Sequence, residues 1–355
     1  MTPGPPARAV DWAILTVVLL QALTGVSSIL VGRPEGSWVV ASHGIGGLAL
    51  VVLIGLKLWR VRRRLRPRRL RREMWSSVLA GVLVLAVLGT GIAWASGWRP
   101  WVAAWTLLTL HAVLGLLLAV PVAIHLRTRI HRPRRVDFAD RRTAIQFGLL
   151  AGGGTLAWSL QRQVARVVSA PARFTGSYET DSFAGNAFPS TSWVADDPEP
   201  IDPETWSLQV DGAVERSLAL GPAVLDGAGE GPAVPTDAET EAILDCTSGW
   251  YSAQRWRGIA VGELLDAAGA RPDARWVSFH SVTGYRWSLP IDEARRALLA
   301  THVTGERLSH AHGFPLRLVA PGRRGFQWVK WVERVEVRER PDYGQWIAIF
   351  TSGFE

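Results

Sequence analysis

Five apolar runs dominate the first 160 residues, and each approaches or exceeds the roughly 20 residues a helix needs to cross a bilayer. They fall at about Trp12–Val31, Trp38–Trp59, Met74–Trp94, Trp105–Ile124 and Thr143–Leu160. A helix buried in a soluble protein of this size keeps a polar face for water, and these runs leave little room for one. The expected start of the chain is an all-α transmembrane bundle of about five helices.

The charges between the runs give an expected orientation. The connection Lys57–Arg72 carries ten basic side chains and Arg127–Arg142 carries seven, whereas the other two connections hold only Arg33 and Arg99. The positive-inside rule puts both basic connections and the N-terminus in the cytoplasm, and everything after about Arg162 outside a cell membrane crossed several times. Trp94, Trp98, Trp101 and Trp105 cluster where the outer interface then lies. Residues 1–170 hold 22 basic and 5 acidic side chains, and residues 171–355 hold 17 and 26. The basic half alternates its charge with apolar runs, so the expected partner is a lipid bilayer and not a nucleic acid. Three regions follow: a four-helix cytochrome b-like membrane domain over 1–130, a basic connection with a fifth transmembrane helix over 131–170, and an extracytoplasmic domain over 171–355. The fifth run also follows Arg141-Arg142, a pair resembling a twin-arginine export signal, which serves folded, cofactor-loaded cargo.

Four of the eight histidines, His43, His111, His125 and His131, fall in the membrane half. An imidazole in hydrocarbon is costly and is read as functional by default. His43 lies five residues in from Trp38 and His111 six in from Trp105, on helices running the same way, so the rings are expected at one depth. Two imidazoles facing each other across a bundle suit the iron of a b-type haem. Gly25, Gly89 and Gly91 are small residues that leave room for a porphyrin. His125, fourteen residues after His111, leaves a second haem open, but its counterpart fourteen after His43 is Lys57.

From Pro171 the composition becomes that of a water-soluble domain. Short β-like runs (Trp206–Val210, Trp276–Ser281, Pro315–Val319) and helix-like stretches (Ala260–Ala268, Ile291–Leu299) predict an α+β fold, with Gly221–Thr236 as a surface excursion. The single cysteine, Cys246, excludes an intramolecular disulfide and any Cys-rich zinc or iron–sulfur site. A lone cysteine is ordinarily a packing residue.

Its surroundings point elsewhere. Phe188-Pro189-Ser190-Thr191-Ser192-Trp193, Asp202–Gly212, Asp245-Cys246-Thr247-Ser248-Gly249-Trp250, Trp256-Arg257-Gly258, Gly284–Pro290, His312–Val319 and Pro321–Trp331 occur in the order of the sulfite oxidase family. Over about 185–338 the chain resembles these molybdopterin-dependent oxidoreductases. The resemblance implies a C-terminal sulfite-oxidase-type molybdopterin-binding domain with Cys246 as the thiolate ligand to molybdenum. It implies further that His312, Arg317 and Lys330 line the pterin and its phosphate, that Phe326 and Gln327 belong to a loop offering backbone contacts, and that Asn186 and Phe188 form a first pterin-facing strip. Tyr285 matches a tyrosine common at that point.

Two departures matter. Sulfite-oxidising members carry an arginine a few residues after the cysteine. Here Thr247, Ser248, Gly249, Trp250 and Tyr251 follow, and the nearest arginines are Arg255 and Arg257. No segment resembling the family's immunoglobulin-like dimerisation domain follows, which brings the layout nearer to the catalytic subunits of periplasmic methionine sulfoxide reductases. The expectation is a membrane-anchored molybdenum enzyme moving an oxygen atom to or from a small substrate, with reduction of S- or N-oxides favoured. It would exchange electrons through haem b with a membrane quinone or another carrier. Sulfite dehydrogenase-type oxidation is the alternative within the class. A non-catalytic haem relay, or a membrane module without cofactor, is the alternative outside it.

Overall fold

The computed structural model describes residues 5–62, 75–103, 105–130, 132–169, 172–192, 196–226 and 234–354. Most of the first basic connection, His131, Trp193 and residues 227–233 of the Gly221–Thr236 stretch lie outside these residues. The chain divides into two units, Met1–Tyr178 and Glu179–Glu355.

The first unit is built from α1 (Ala7–Ser28), α2 (Ser37–Val61), α3 (Trp75–Ala95), α4 (Leu107–Arg129) and α5 (Arg141–Val168). A two-strand turn, β1 (Trp101–Val102) with β2 (Trp105–Thr106), leads into α4, and the Thr106 hydroxyl caps that helix by accepting from the Thr109 N–H at 3.1 Å. α1 packs on α2, α3 on α4, and α5 along α2. Gly44 leaves space that the Trp158 ring fills, and Gly154 lets α5 approach the carbonyl of Ile45. Leu19, Leu23, Leu116, Leu117 and Val120 project outward, as they would toward lipid tails and not water.

Among the described residues four helical segments are long and apolar enough to cross a membrane: Ala7–Ser28, Pro34–Val61, Trp75–Ala95 and Leu107–Thr128. This corrects the expected count of five. The fifth run does form a helix, but α5 opens on Arg141-Arg142 and closes on Gln161, Arg162, Gln163 and Arg166. Between them Gly152-Gly153-Gly154, Thr155 and Ser159 dilute the apolar side chains, so α5 does not join the four.

The short strand β3 (Tyr178–Glu179) precedes the second unit. There β4 (Leu208–Gly212), β5 (Leu218–Leu220) and α6 (Ala223–Asp226) come first, then β6 (Ala238–Asp245), β7 (Trp250–Ala260) and α7 (Val261–Ala268). β8 (Trp276–Ser281), β9 (Arg286–Pro290), α8 (Ile291–Ala294), β10 (Leu298–Val303) and β11 (Glu306–Arg307) follow. β12 (Arg317–Val319), β13 (Val332–Arg338) and α9 (Gln345–Thr351) complete it. One sheet runs β11–β10–β7, with β12 added on β10 and β6 on β7; the other runs β5–β4–β13–β8–β9, with only β13 and β4 parallel. Its core is formed by Trp256, Trp328, Phe188, Phe279, Leu264 and Leu265. The helix expected over Ile291–Leu299 stops at Ala294, because from Leu298 the chain is claimed by strand pairing with both β7 and β12. Mixed sheets with segregated short helices make this unit α+β.

Candidate functional site

Cys246 sits at the tip of the β6–β7 hairpin. The loop closes when the Cys246 N–H donates to the Trp250 carbonyl at 2.9 Å and the Gly249 N–H donates to the Cys246 carbonyl at 3.1 Å. Gly249 takes φ +98°, a conformation that disfavours any side chain at this turn. The thiol is 6 % exposed and lies among hydroxyls: Ser248 Oγ stands 2.9 Å and Thr191 Oγ1 3.2 Å from its sulfur. Arg324 grips the loop from behind, donating to Asp245 at 2.7 Å and to the Cys246 carbonyl at 2.9 Å.

The segment Ser190–Ser192 binds three parts of the site at once. Ser190 donates to the Ala311 carbonyl, Thr191 faces the Cys246 sulfur, and Ser192 accepts from Lys330 Nζ at 2.6 Å. Lys330 and Arg317 are brought together through Gly313, which holds φ +108°; a Cβ there would come within 3.0 Å of the Lys330 Cβ and 3.2 Å of the Arg317 Cβ.

Two buried cations so close are electrostatically expensive. Burial, and after it the Arg317 charge, bring Lys330 down to about 7 against the pull of Asp196, Asp197 and Cys246. Burial likewise lowers Arg317 to about 10, partly offset by Cys246. Burial raises the nearby Asp196 carboxyl, which accepts from Thr283. Burial brings His312 down to about 4, so the ring is neutral. Its Nε2–H donates to the Phe188 carbonyl at 2.8 Å, and Nδ1 accepts from Ser309 at 2.7 Å.

Of the residues expected from sequence, Cys246, Arg317 and Lys330 interact electrostatically, and His312 joins them through its carbonyl, which accepts from Arg317 Nη1 at 2.9 Å. Phe188 stacks edge-on to His312 with ring centres 4.2 Å apart. Asn186 acts at one remove: its side chain ties Glu306, the Arg307 carbonyl and the Ser309 N–H, and so holds the turn leading to His312. The Gln327 side chain caps Arg324 N–H, and Phe326 turns its ring to Trp287 while its carbonyl accepts from Tyr285 at 2.6 Å. Arg255 and Arg257 point outward on β7, on the face opposite Trp256, and Arg255 pairs with Glu241. Thr191, Ser192, Ser248 and Arg324 are site residues that the sequence reading did not assign, although all lie inside the segments that carried the resemblance.

The donor set suits a large polyanionic ligand. Among the described residues neither Arg317 nor Lys330 has a carboxylate at ion-pair distance, and the buried Arg317 Nε, Trp250 Nε1 and Trp328 Nε1 have no hydrogen-bond partner. Buried polar groups are ordinarily satisfied, and an unpartnered Arg317 Nε beside Lys330 is what a site for a bound anion would leave. A soft thiolate beside them suits a soft-ligand metal. Among the described residues no three His, Cys, Asp or Glu side chains gather to hold a metal alone.

The first unit holds a second grouping. The His43 and His111 rings meet at right angles with centres 6.0 Å apart. Thr24 donates its hydroxyl to the Leu20 carbonyl at 2.6 Å, so its oxygen accepts from His43 Nδ1–H at 3.1 Å. His111 Nδ1–H donates to the Val87 carbonyl at 3.0 Å. Both rings therefore carry their proton on Nδ1 and keep the Nε2 lone pair, the tautomer of a metal-ligating imidazole. Gly25 and Gly91 give the rings their space: a Cβ would lie 3.1 Å from His43 Cε1 and 2.9 Å from His111 Cε1. His125 bonds instead to Ser77 at 2.9 Å, and Lys57 is paired with Asp11 at 2.9 Å.

The family profile "Oxidoreductase molybdopterin binding domain" matches residues 195–346. The uncharacterized oxidoreductase YuiH of Bacillus subtilis is 30 % identical over 148 residues, 41 % of this chain and 71 % of that one. Human mitochondrial sulfite oxidase is 30 % identical over 179 residues, 43 % of this chain and 33 % of that one. The methionine-sulfoxide reductase catalytic subunit MsrP of Gluconobacter oxydans is 28 % identical over 181 residues, 46 % and 54 % of the two chains. This chain thus spans a third of the sulfite oxidase and about half of MsrP. A buried thiol between hydroxyls, two buried cations without carboxylates and this shared sequence lead to one assignment: the chain belongs to the molybdopterin-binding oxidoreductases and is a molybdenum-dependent oxidoreductase.

Proposed function

We propose that the chain is a membrane-anchored oxidoreductase that reduces a small S- or N-oxide and draws its electrons from the membrane through a haem b held by His43 and His111. The molybdenum cofactor, when bound, supplies two-electron oxygen-atom transfer and one-electron exchange with a carrier. Reduction of a sulfoxide consumes two electrons and two protons and yields a sulfide and water.

The chain's own residues divide the work. Cys246 provides the thiolate ligand, with Ser248 and Thr191 as hydroxyl partners of the sulfur. Arg317 and Lys330 neutralise the cofactor's phosphate and pterin oxygens, and an anion there lifts Lys330 back toward full protonation. His312, Phe188, Phe326 and Gln327 form the wall, and Asn186 holds the turn behind it. A neutral oxide fits because Arg255 and Arg257 face away and Trp250 follows the hairpin tip. MsrP, a protein-methionine-sulfoxide reductase subunit, points to the same substrate class.

The observation that carries the electron path is the His43–His111 pair, with both Nδ1 protons engaged and both Nε2 lone pairs kept. One haem follows from it. His125, bonded to Ser77, and Lys57, paired with Asp11, offer no comparable pair for a second. The electron donor is a quinone or another carrier, the N-terminus and both basic connections are cytoplasmic, and the second unit faces the extracytoplasmic side, an arrangement that requires α5, less apolar than the other four helices, to cross the bilayer as well. Arg141-Arg142, at the start of α5, suits a twin-arginine route for a loaded domain.

The test is metal and haem analysis of the purified full chain, followed by a screen of sulfoxides, N-oxides and sulfite read by haem absorbance. Molybdenum and iron together, with haem oxidation on adding an oxide, are expected. Iron without molybdenum, or haem reduction by sulfite alone, overturns the reading. Reporter fusions at Pro67 and Pro200 must give opposite sides of the membrane.

A further inference from the structure

The last described helix of the second unit, α9 (Gln345–Thr351), is two-faced. Its inner face is fixed: the Gln345 side chain accepts from the Ser288 N–H at 2.8 Å, Ala348 is buried, and the Gly353 N–H donates to the Thr283 carbonyl at 2.9 Å. Trp346 braces it by meeting the Trp287 ring edge-on with centres 5.0 Å apart. Its outer face is apolar and open. Tyr343, Ile347, Phe350 and Phe354 are 76 %, 64 %, 79 % and 70 % exposed, and Trp346 is exposed beside them. Trp346, Ile347 and Phe350 lie on α9 (Gln345–Thr351), where spacings of three and four residues set them side by side, and Tyr343 and Phe354 flank its two ends.

Isolated exposed apolar side chains are ordinary, but five of them on and beside one two-turn helix mark a contact surface. We propose that this face seats in the headgroup region of a zwitterionic lipid bilayer. Three observations select lipid over a protein partner. Four helical segments of the same chain are long and apolar enough to cross a membrane, so the bilayer is present at high effective concentration. The stripe is rich in aromatic rings, with a Trp and a Tyr, the side chains that favour the membrane–water interface. It is also far smaller than the roughly 20–30 residues a side of a stable protein interface. No Lys or Arg lies in residues 341–355, so the attraction is apolar and does not need anionic lipid. The helix keeps its backbone bonded while its aromatic side reaches the interface.

The test uses the full chain, loaded with its cofactors, one copy per phosphatidylcholine nanodisc. Phe350→Cys carries a polarity-sensitive fluorophore, and Asp273→Cys, an exposed site away from the stripe, is the control. Cys246 is buried, and the parent chain must take up no label. The label at 350 is expected to shift its emission to the blue and to be quenched by spin-labelled lipid, while the label at 273 stays water-like. High salt and added anionic lipid should leave both unchanged. A second variant, Ile347→Glu in the Phe350→Cys background, should abolish the shift while molybdenum content is retained. A water-like signal at 350 overturns the proposal. So does a shift that appears only with two copies per disc, which makes the occupant another copy, or only on adding a soluble haem protein, which makes it a redox partner.

Discussion

Arg324 reaches Asp245 across 79 residues of sequence, forms a 2.7 Å ion pair with it, and leaves both side chains sealed from water. The same guanidinium donates to the carbonyl of Cys246, so the hairpin tip and the 321–331 loop share one buried bond network. Removing one partner of a buried pair leaves an uncompensated charge, which typically costs about 3–5 kcal/mol. Arg324→Met is expected to lower the unfolding transition of the second unit by that order and to cut molybdenum content. The double variant Arg324→Met with Asp245→Leu should recover much of the stability and not the metal. Thermal unfolding and metal analysis of both variants decide the matter, and equal stability of the single variant and the parent contradicts it.

Cys246→Ser changes one atom. The serine hydroxyl is a poor substitute for a soft thiolate, and the neighbouring Ser248 and Thr191 hydroxyls can still bond to it. Oxygen-atom transfer should be lost with the fold and the pterin retained, because Arg317 and Lys330 are untouched. Pterin fluorescence after denaturation, set beside the activity assay, checks both halves of this expectation.

The depressed lysine gives a signed pH effect. Lys330 titrates at about 7 in the fold against 10.5 when free, so between those values the unfolded chain binds more protons. Stability of the cofactor-free form should therefore rise as the pH increases from about 7 toward 10. Burial of His312 acts in the same sense between about 4 and 6.5. With the anionic cofactor bound the upper slope should flatten, since the lysine is then charged in both states. The slope should also vanish in Lys330→Met. Melting temperatures of the cofactor-free parent, cofactor-bound parent and variant across this range supply the check.

In the first unit, His43→Ala and His111→Ala should each remove the same haem band, whereas His125→Ala should leave it, since about 21 Å of helix separates His125 from His111. Gly91→Leu should displace the His111 ring, as even a Cβ there comes within 2.9 Å of Cε1. Turnover with an artificial donor to the second unit should survive in all four variants. Reduced-minus-oxidised spectra decide, and a full band in His43→Ala refutes the pairing.

Much of this arrangement was legible because it is local in sequence. The runs that became α1 to α4 announce themselves by length, and Cys246, Arg317 and Lys330 stand inside short distinctive segments. Other features depend on distant partners. Nothing near Thr191 states that it will meet a sulfur 55 residues away, and Asp245 gives no sign that its cation lies at 324. The strand at Leu298 was read as helix because its apolar pattern is ambiguous until β7 and β12 flank it. α5 was counted as a fifth span because its middle is apolar, while its polar ends and glycines limit the apolar length. Gly25 and Gly91 had suggested space for a porphyrin, and the space they make is occupied by the imidazoles.

Three consecutive hydroxyls, on Ser190, Thr191 and Ser192, contact respectively the Ala311 carbonyl in the turn before His312, the Cys246 sulfur and the Lys330 ammonium. They form a latch with a single bolt. Drawing back that stretch would loosen one contact of the thiol and one of the lysine in the same movement. Uptake of the cofactor is then expected to be all-or-none, with filled and empty molecules and no half-seated species between them.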